Sequence, residues 1–458
     1  MENRFQDTSA HVRSYSLVWC GGRTLVASQL FPPITRTMAV GDDCMSGLHI
    51  DEAIQINGDS SQSVTNKHAQ GEVIVLIPGL PNDLALQCLA RVPRRHHLNL
   101  RCVCKEWRNM IASEYYYSLR KRLEVTEGWI YAFSRDYFEC LHWHVLDPVT
   151  RLWKELPSMP VDCLRRLIPN LSFELWMGIG IYVSNVTTSN ICSSAQTRLL
   201  FYNSEAWTIL RSPRRMRELY VMGGGGGGNF HVPTPEVYKF DPVKNEWTEA
   251  AAMETARCYI VSGALNGRLY AVGGMGVTSS ALRSWEVFNP QTNERLFRED
   301  PNVVPDLGES LVMDGKIYVR HASARSGYMG SYAAVFDPVE SSWAAVDNEM
   351  VKKWCGPTAV TGNDVYMLDQ SFGIKLMVLD KESGEWDRIG RFSPLSIRLP
   401  CRLAAIEKNL YVVGRGLKTL VLNTDKASTT SGGILVASTI NGLPDSEDVI
   451  LSCHVIEL

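Results

Sequence analysis

Two hydrophobic periodicities divide the chain, one near the helical repeat and one alternating, and they predict a few short helices followed by many strands. Over residues 76–113 the apolar positions follow helical spacing. Pro81 suits a first helical turn, and Asn82 and Asp83 suit the positive end of a helix dipole, so a helix starts near Pro81. Leu84, Leu89 and Val92 then share one face, and Pro93 stops the helix. After the basic turn 94–97, the series Leu98, Leu100, Val103, Trp107, Met110 and Ile111 is broken by Arg101, Lys105 and Arg108, which predicts two more short helices. Three such helices offer too little interior for this many apolar positions. The surplus predicts a partner protein.

From Trp129 onward an apolar strand carrying an aromatic recurs six times, at Tyr131, Tyr220, Tyr270, Tyr318, Tyr366 and Tyr411. From Tyr220 the repeats lie 45 to 50 residues apart, the length of a four-stranded propeller blade. Five units continue into a hairpin: Leu146-Asp147-Pro148 with Trp153, Phe240-Asp241-Pro242 with Trp247, Phe288-Asn289-Pro290, Phe336-Asp337-Pro338 with Trp343, and Leu379-Asp380 with Trp386. In each Trp-bearing copy the apolar residue and the Trp are seven positions apart, because an Asp-led turn, with Pro after the Asp in three of the four, reverses the chain and returns the Trp on the adjacent strand. Gly223-Gly224 and Gly273-Gly274 allow positive φ and close backbone approach where two of the strands end.

A blade cannot bury both faces alone, so blades stack and the ring must close. The stretches 433–438 and 449–455 are strand-like and are expected to complete the last blade or to pair with the first. Several copies depart from the pattern. His321-Ala322, Asp369-Gln370 and Gly414-Arg415 replace Gly-Gly, Arg295 stands where a Trp is expected after Phe288, and the last copy lacks its hairpin Trp. The step from Trp153 to Tyr220 is 67 residues where 22 to 25 is usual, which predicts an insertion, or a gene-model artefact, within 164–213. Residues 1–70 mix Gly, Ser, Thr, Asp and Gln without sustained periodicity and read as a disordered leader, with Met38 and Met45 as alternative starts.

The helical segment resembles the F-box, the module by which substrate receptors dock on the Skp-type adaptor of a cullin-RING ubiquitin ligase. The resemblance rests on Leu80-Pro81, the Leu-rich first helix, the exit at Leu89 and Pro93, and Arg101-x-Val103-Cys104-Lys105-x-Trp107-Arg108. The strand units resemble kelch repeats, and the two in this order resemble plant F-box/kelch-repeat proteins. The resemblance implies a small all-α F-box domain over 71–120, then an all-β kelch propeller of six blades over 121–458. It places Leu80, Pro81, Leu84 and Leu89 on the adaptor-facing surface, with Pro93 closing the first helix and Leu100, Val103 and Trp107 supporting or extending that surface. The implied function is substrate recognition in an SCF-type ligase, with cullin and RING protein reached through the adaptor and an unknown protein held by the propeller. The alternative is a kelch scaffold or cytoskeletal binder with no ligase role.

Composition adds exclusions. With 458 residues and a formal net charge of −3, the chain has room for several domains and no general field favouring nucleic acid or an anionic membrane. Its apolar runs fall short of the about 20 residues that span a bilayer. Twelve cysteines without CxxC, in a chain with no secretory signal pattern, read as reduced thiols in a cytoplasmic or nuclear protein.

Candidate chemistry is sparse. The six glycines 223–228 lack the Lys-Ser or Lys-Thr and the helix of a phosphate loop. His142 and His144 share a strand face but have no third ligand at metal-binding spacing, and the sequons at Asn170 and Asn185 are idle inside a cell. No catalytic residue, metal or cofactor is expected. Binding chemistry is expected in the loops between blades, where Arg257, Trp354 and Arg402 combine area with directional hydrogen bonds and are candidate substrate contacts. The competing reading is that each Arg bridges adjacent blades.

Overall fold

A computed structural model describes residues 75–160 except 138 and 139, and 218–458 except 225–232, 259, 277–282, 304–306, 322–332, 431 and 445. It also describes three short strands: β1 (Val18–Cys20), which pairs antiparallel with β2 (Arg23–Leu25), and β6 (Thr208–Leu210). The rest of the expected leader and insertion, the two sequons, both alternative starts and glycines 225–228 lie outside the described residues. The chain divides into two units, Met1–Val125 and Thr126–Leu458.

In the first unit, α1 (Asn82–Ala90) stops before Pro93, and a 3-10 turn at Arg94–His96 leads into α2 (His97–Leu100). α3 (Lys105–Ala112) and α4 (Glu114–Arg122) follow, each opened by a side-chain cap. Cys104 Sγ accepts the Trp107 N–H and Ser113 Oγ accepts that of Tyr116. α4 lies beyond the segment whose periodicity predicted three helices, and it carries the unit's boundary past residue 120. It packs on α1 and α3, and its Tyr116, Tyr117, Leu119 and Arg120 are buried. Part of the apolar surplus is therefore covered within the chain, by Ala85, Leu89, Leu100, Ile111 and Tyr116 closing one core.

Arg120 holds that core together. Its Nη1 donates to the Ala90 and Val92 carbonyls at the end of α1, and its Nη2 donates to Val125 O. The Ala90 carbonyl is one that the end of α1 leaves without an intrahelical partner, and Val92 and Val125 lie just past the ends of α1 and α4. Tyr116 Oη donates to Leu89 O at 2.9 Å. His97 lies edge-on to the Tyr116 and Tyr117 rings, and burial together with the neighbouring Arg120 charge lowers its pKa to about 3, so it is neutral.

The second unit is a ring of six four-stranded antiparallel sheets. Blade 1 contains β3 (Gly128–Arg135), β4 (Leu141–Asp147) and β5 (Leu152–Glu155). Blade 2 is β6 with β7 (Leu219–Met222), β8 (Val237–Asp241) and β9 (Glu246–Ala250). Blade 3 runs β10 (Val261–Leu265), β11 (Arg268–Val272), β12 (Ser284–Asn289) and β13 (Glu294–Glu299). Blade 4 runs β14 (Leu307–Met313), β15 (Lys316–His321), β16 (Ala333–Asp337) and β17 (Ser342–Val346). A short helix, α5 (Glu349–Lys353), precedes blade 5: β18 (Thr358–Thr361), β19 (Asp364–Asp369), β20 (Ile374–Asp380) and β21 (Glu385–Phe392). Blade 6 is β22 (Arg402–Ile406), β23 (Asn409–Val413), β24 (Thr419–Asn423) and β25 (Ser438–Ile440).

The last strand, β26 (Val449–Glu457), pairs with β3 as the first strand of blade 1. β6, β10, β14, β18, β22 and β26 pack on one another in succession, so they are the innermost strands, and the C-terminal strand fills the place that would otherwise leave an open edge. Of the two strand-like stretches in the C-terminal region, 449–455 closes blade 1 as part of β26, whereas 433–438 is not itself a strand: blade 6 is finished by β25, which begins only at Ser438. Blades 1 and 2 meet across the long interval. Trp247 Nε1 donates to Pro157 O at 2.9 Å, and the Trp143 and Trp247 rings lie 5.4 Å apart.

The seven-residue spacing has a direct structural cause. Leu146 and Trp153, Phe240 and Trp247, Phe336 and Trp343, and Leu379 and Trp386 are opposite partners across the outer hairpin of their blades. In each hairpin the Asp side chain accepts the N–H two residues on, as Asp147 does from Val149 and Asp241 from Val243. The residue four after the Asp adopts positive φ, at Arg151, Asn245, Ser341 and Gly384. The core is the set of seams between blades, such as Tyr270, Trp285, Phe336 and Trp343 between blades 3 and 4. Strand alternation puts the first–second and third–fourth turns on one face of the ring. The second–third loops and the connectors between blades lie on the other.

Candidate interaction surfaces

The helical unit sorts the residues assigned to the adaptor surface. Leu84 is 45% exposed and Val103 42%, Pro81 is exposed, and Leu80 and Pro93 are half-buried. Leu89 is instead buried in the unit's own core and does not form that surface, and Leu100, expected to support or extend it, is buried beside it. Trp107 is half-buried, and its Nε1 donates to Leu76 O at 2.8 Å, clasping the turn that leads into α1. Among the described residues three apolar side chains not assigned from sequence stand outside, Val75 at 58%, Leu98 at 46% and Tyr115 at 57% exposure. Leu98 was legible in principle, since His97 and Leu100, three apart on one helical face, are both buried and turn Leu98 outward.

The propeller residues assigned to substrate are used internally. Arg257 is fully buried. Its Nη2 donates to Glu286 Oε1 at 2.9 Å and to Ser284 Oγ, and its Nη1 donates to the Gly273 and Ser284 carbonyls. Glu286 also accepts the backbone N–H groups of Glu254 and Thr255, so one buried ion pair fastens the connector from blade 2 onto blade 3. Burial lowers the Arg257 pKa while the Glu286 charge opposes that shift. Trp354 is buried in the connector between blades 4 and 5, with its Nε1 donating to Gly356 O and the Arg320 guanidinium 5.7 Å from its ring. Arg402, half-buried at the start of β22, donates from Nε to Leu451 O on β26. Arg257 and Trp354 therefore lie inside the fold and not on a recognition surface, and Arg402 bridges blades 6 and 1. Large size and hydrogen-bonding capacity suit a seam between blades as well as an interface, which is why residue type misplaced them.

Arg295 explains the missing Trp. It pairs across the hairpin with Phe288, its guanidinium sits 4.3 Å from the Phe288 ring, and it donates to Ala251 O just after β9. Trp247 stacks on Phe240 and donates to a carbonyl just after the outer strand of the preceding blade in the same way. A planar cation thus replaces the indole in both stacking and donation. Gly-Gly is replaced by a similar exchange in blade 5. A Cβ on Gly274 would meet Cys258 O at 2.5 Å, whereas in blade 5 the glycine lies on the connector, where a Cβ on Gly356 would meet Leu368 O at 2.0 Å. His142 contacts Asp136 and Glu155, while the buried His144 contacts Ser134. Among the described residues no three His, Cys, Asp or Glu side chains are arranged to hold a metal.

Comparison with known proteins agrees with this architecture. The F-box domain family matches residues 77–119, and the kelch motif matches 217–254 and 256–296, which are blades 2 and 3. The F-box/kelch-repeat protein SKIP4 of Arabidopsis thaliana is 31% identical over 389 residues, covering 84% of this chain and 95% of that protein. The F-box/kelch-repeat protein At1g22040 of the same plant is 28% identical over 359 residues, 71% of this chain and 73% of that protein. Helical unit, six-bladed ring and overall similarity coincide: the chain belongs to the plant F-box/kelch-repeat family.

Proposed function

We propose that the chain is the substrate-recognition subunit of an SCF-type ubiquitin ligase, its helical unit docking a Skp-type adaptor and its propeller holding the protein to be modified. The observation that carries this reading is the exposure of Leu84, Leu98 and Val103 on a unit whose own core is already closed by Leu89, Leu100, Ile111 and Tyr116. Such side chains gain by burial against a partner, at about 25 cal/mol per Å² of apolar surface removed from water. The subunit does no bond-making. It raises the effective concentration of a substrate lysine near a charged ubiquitin-conjugating enzyme, with cullin and RING protein reached through the adaptor, in the cytoplasm or nucleus.

The test is co-expression of the full chain with a Skp-type adaptor, a cullin and a RING protein, followed by size-exclusion chromatography. Co-elution of all four supports the reading. A folded chain that elutes alone contradicts it and leaves the kelch scaffold alternative.

A further inference from the structure

The segment that leads into α1 carries Leu80 and Pro81, two of the residues assigned to the adaptor surface, and it is held at three points. Residues Ile77 to Leu80 form a tight turn in which the Leu80 N–H donates to Ile77 O at 3.1 Å. Pro78 and Gly79 occupy its two central positions, and Gly79 has a φ of +82°, the arrangement of a type II turn. Leu76, just before the turn, is gripped from both sides. Its N–H donates to Asn82 Oδ1 at 3.0 Å, and its carbonyl accepts from Trp107 Nε1 at 2.8 Å. Asn82 is the first residue of α1, whereas Trp107 lies on α3, 31 positions along the chain from Leu76. Cys104 Sγ accepts the Trp107 N–H at the start of α3, which fixes the turn of helix from which the indole projects. The hydrogen bonds of α1 itself begin at Pro81 O, which accepts the Ala85 N–H, so the helix does not order the residues before it.

From this arrangement we infer that Trp107 and Asn82 are positioning residues of the adaptor site: they act on the adaptor through the 76–81 segment, by holding Leu80 and Pro81 in the shape that docks. The indole has one polar hydrogen, and the fold directs it to the backbone of this segment. A segment fixed before the encounter loses less freedom on binding, so more of its contact energy is expressed as affinity. The inference rests on the substrate-receptor reading and deepens it by naming two residues that set the docking geometry from behind.

The experiment is a double-mutant cycle on the full chain, titrated with a purified Skp-type adaptor, with thermal melts of every variant and hydrogen exchange of the Leu80 amide in the free chain. Trp107→Phe keeps an aromatic ring and removes the donor, and Asn82→Ala removes the acceptor. Each should weaken binding by about three- to tenfold and speed Leu80 exchange. Asn82→Asp, which keeps an acceptor oxygen, should restore most of the affinity lost in Asn82→Ala. A Cβ at Gly79 would meet no atom within 4 Å, so Gly79→Ala disturbs only the positive φ, and it should weaken binding by about fivefold or more. In a Leu80→Ala chain the effect of Trp107→Phe should shrink to less than about twofold, because the side chain it positions is gone. Parent-like affinity in folded Trp107→Phe or Asn82→Ala overturns the inference, even where the melting temperature falls, since that is a purely structural role. Undiminished weakening by Trp107→Phe in the Leu80→Ala chain, the mark of direct contact with the adaptor, overturns it too, as does unchanged Leu80 exchange. A parent chain that does not bind contradicts the receptor reading itself and takes this inference with it.

Discussion

The helical unit and the propeller treat their most distinctive side chains in opposite ways. The ring consumes them: its hairpin Trp residues, Arg257 and Trp354 all pack into the blades or the seams between them. The helical unit closes its core with Leu89, Leu100 and Tyr116 and still displays Leu84, Leu98 and Val103. A large or hydrogen-bonding side chain is therefore weak evidence of recognition in a repeat fold, where every unit needs such residues to join its neighbour. In a small unit that is already closed, an exposed apolar residue says more.

Removing half of the ion pair at the seam should break this contrast most severely. Arg257→Leu leaves Glu286 buried without its cation, and about 3–5 kcal/mol of propeller stability should be lost in a denaturant titration. Adaptor binding by protein that remains folded should be unchanged. In the helical unit, Arg120→Ala uncovers three carbonyls and should lower stability by about 3 kcal/mol, read by thermal melting of the same chain. His97 adds a pH signature. Its folded-state pKa is lowered to about 3 from an ordinary 6.5, so the unfolded chain binds the extra proton between those values. Stability of the helical unit is full above pH 6.5 and falls as pH drops toward 3, by at most about 1.4 kcal/mol per pH unit, and His97→Gln should flatten that slope. The smallest effect is expected at Arg295→Trp, which restores the hairpin residue of the other blades and should change stability by less than about 1 kcal/mol. A large loss there would refute the equivalence of the two side chains.

Much of the ring was legible because its signals are local and repeated. The interval from Phe240 to Trp247 is fixed by a turn whose Asp side chain and left-handed fourth residue lie within the same few positions. Asn266-Gly267 and Asp314-Gly315, both with positive φ at each residue, carry the same kind of signal for the innermost hairpins and were readable without the structure. The role of Arg295 was not readable, because its acceptor Ala251 is 44 positions away and belongs to another blade. The fourth helix was missed for a related reason. Tyr116 and Arg120 reach Leu89, Ala90 and Val92 across the unit, so its burial depends on contacts that local periodicity does not contain.

The central claim is that Leu84 and Val103 are held outside a finished core for a partner. The most direct measurement is the affinity of a Skp-type adaptor for the parent chain, for Leu84→Asp/Val103→Asp, and for Val149→Asp/Val339→Asp on the propeller, with thermal melts of all three. The account predicts loss of binding by about a hundredfold or more in the first variant alone, with all three melting alike. Parent-like binding by a folded Leu84→Asp/Val103→Asp chain would contradict it.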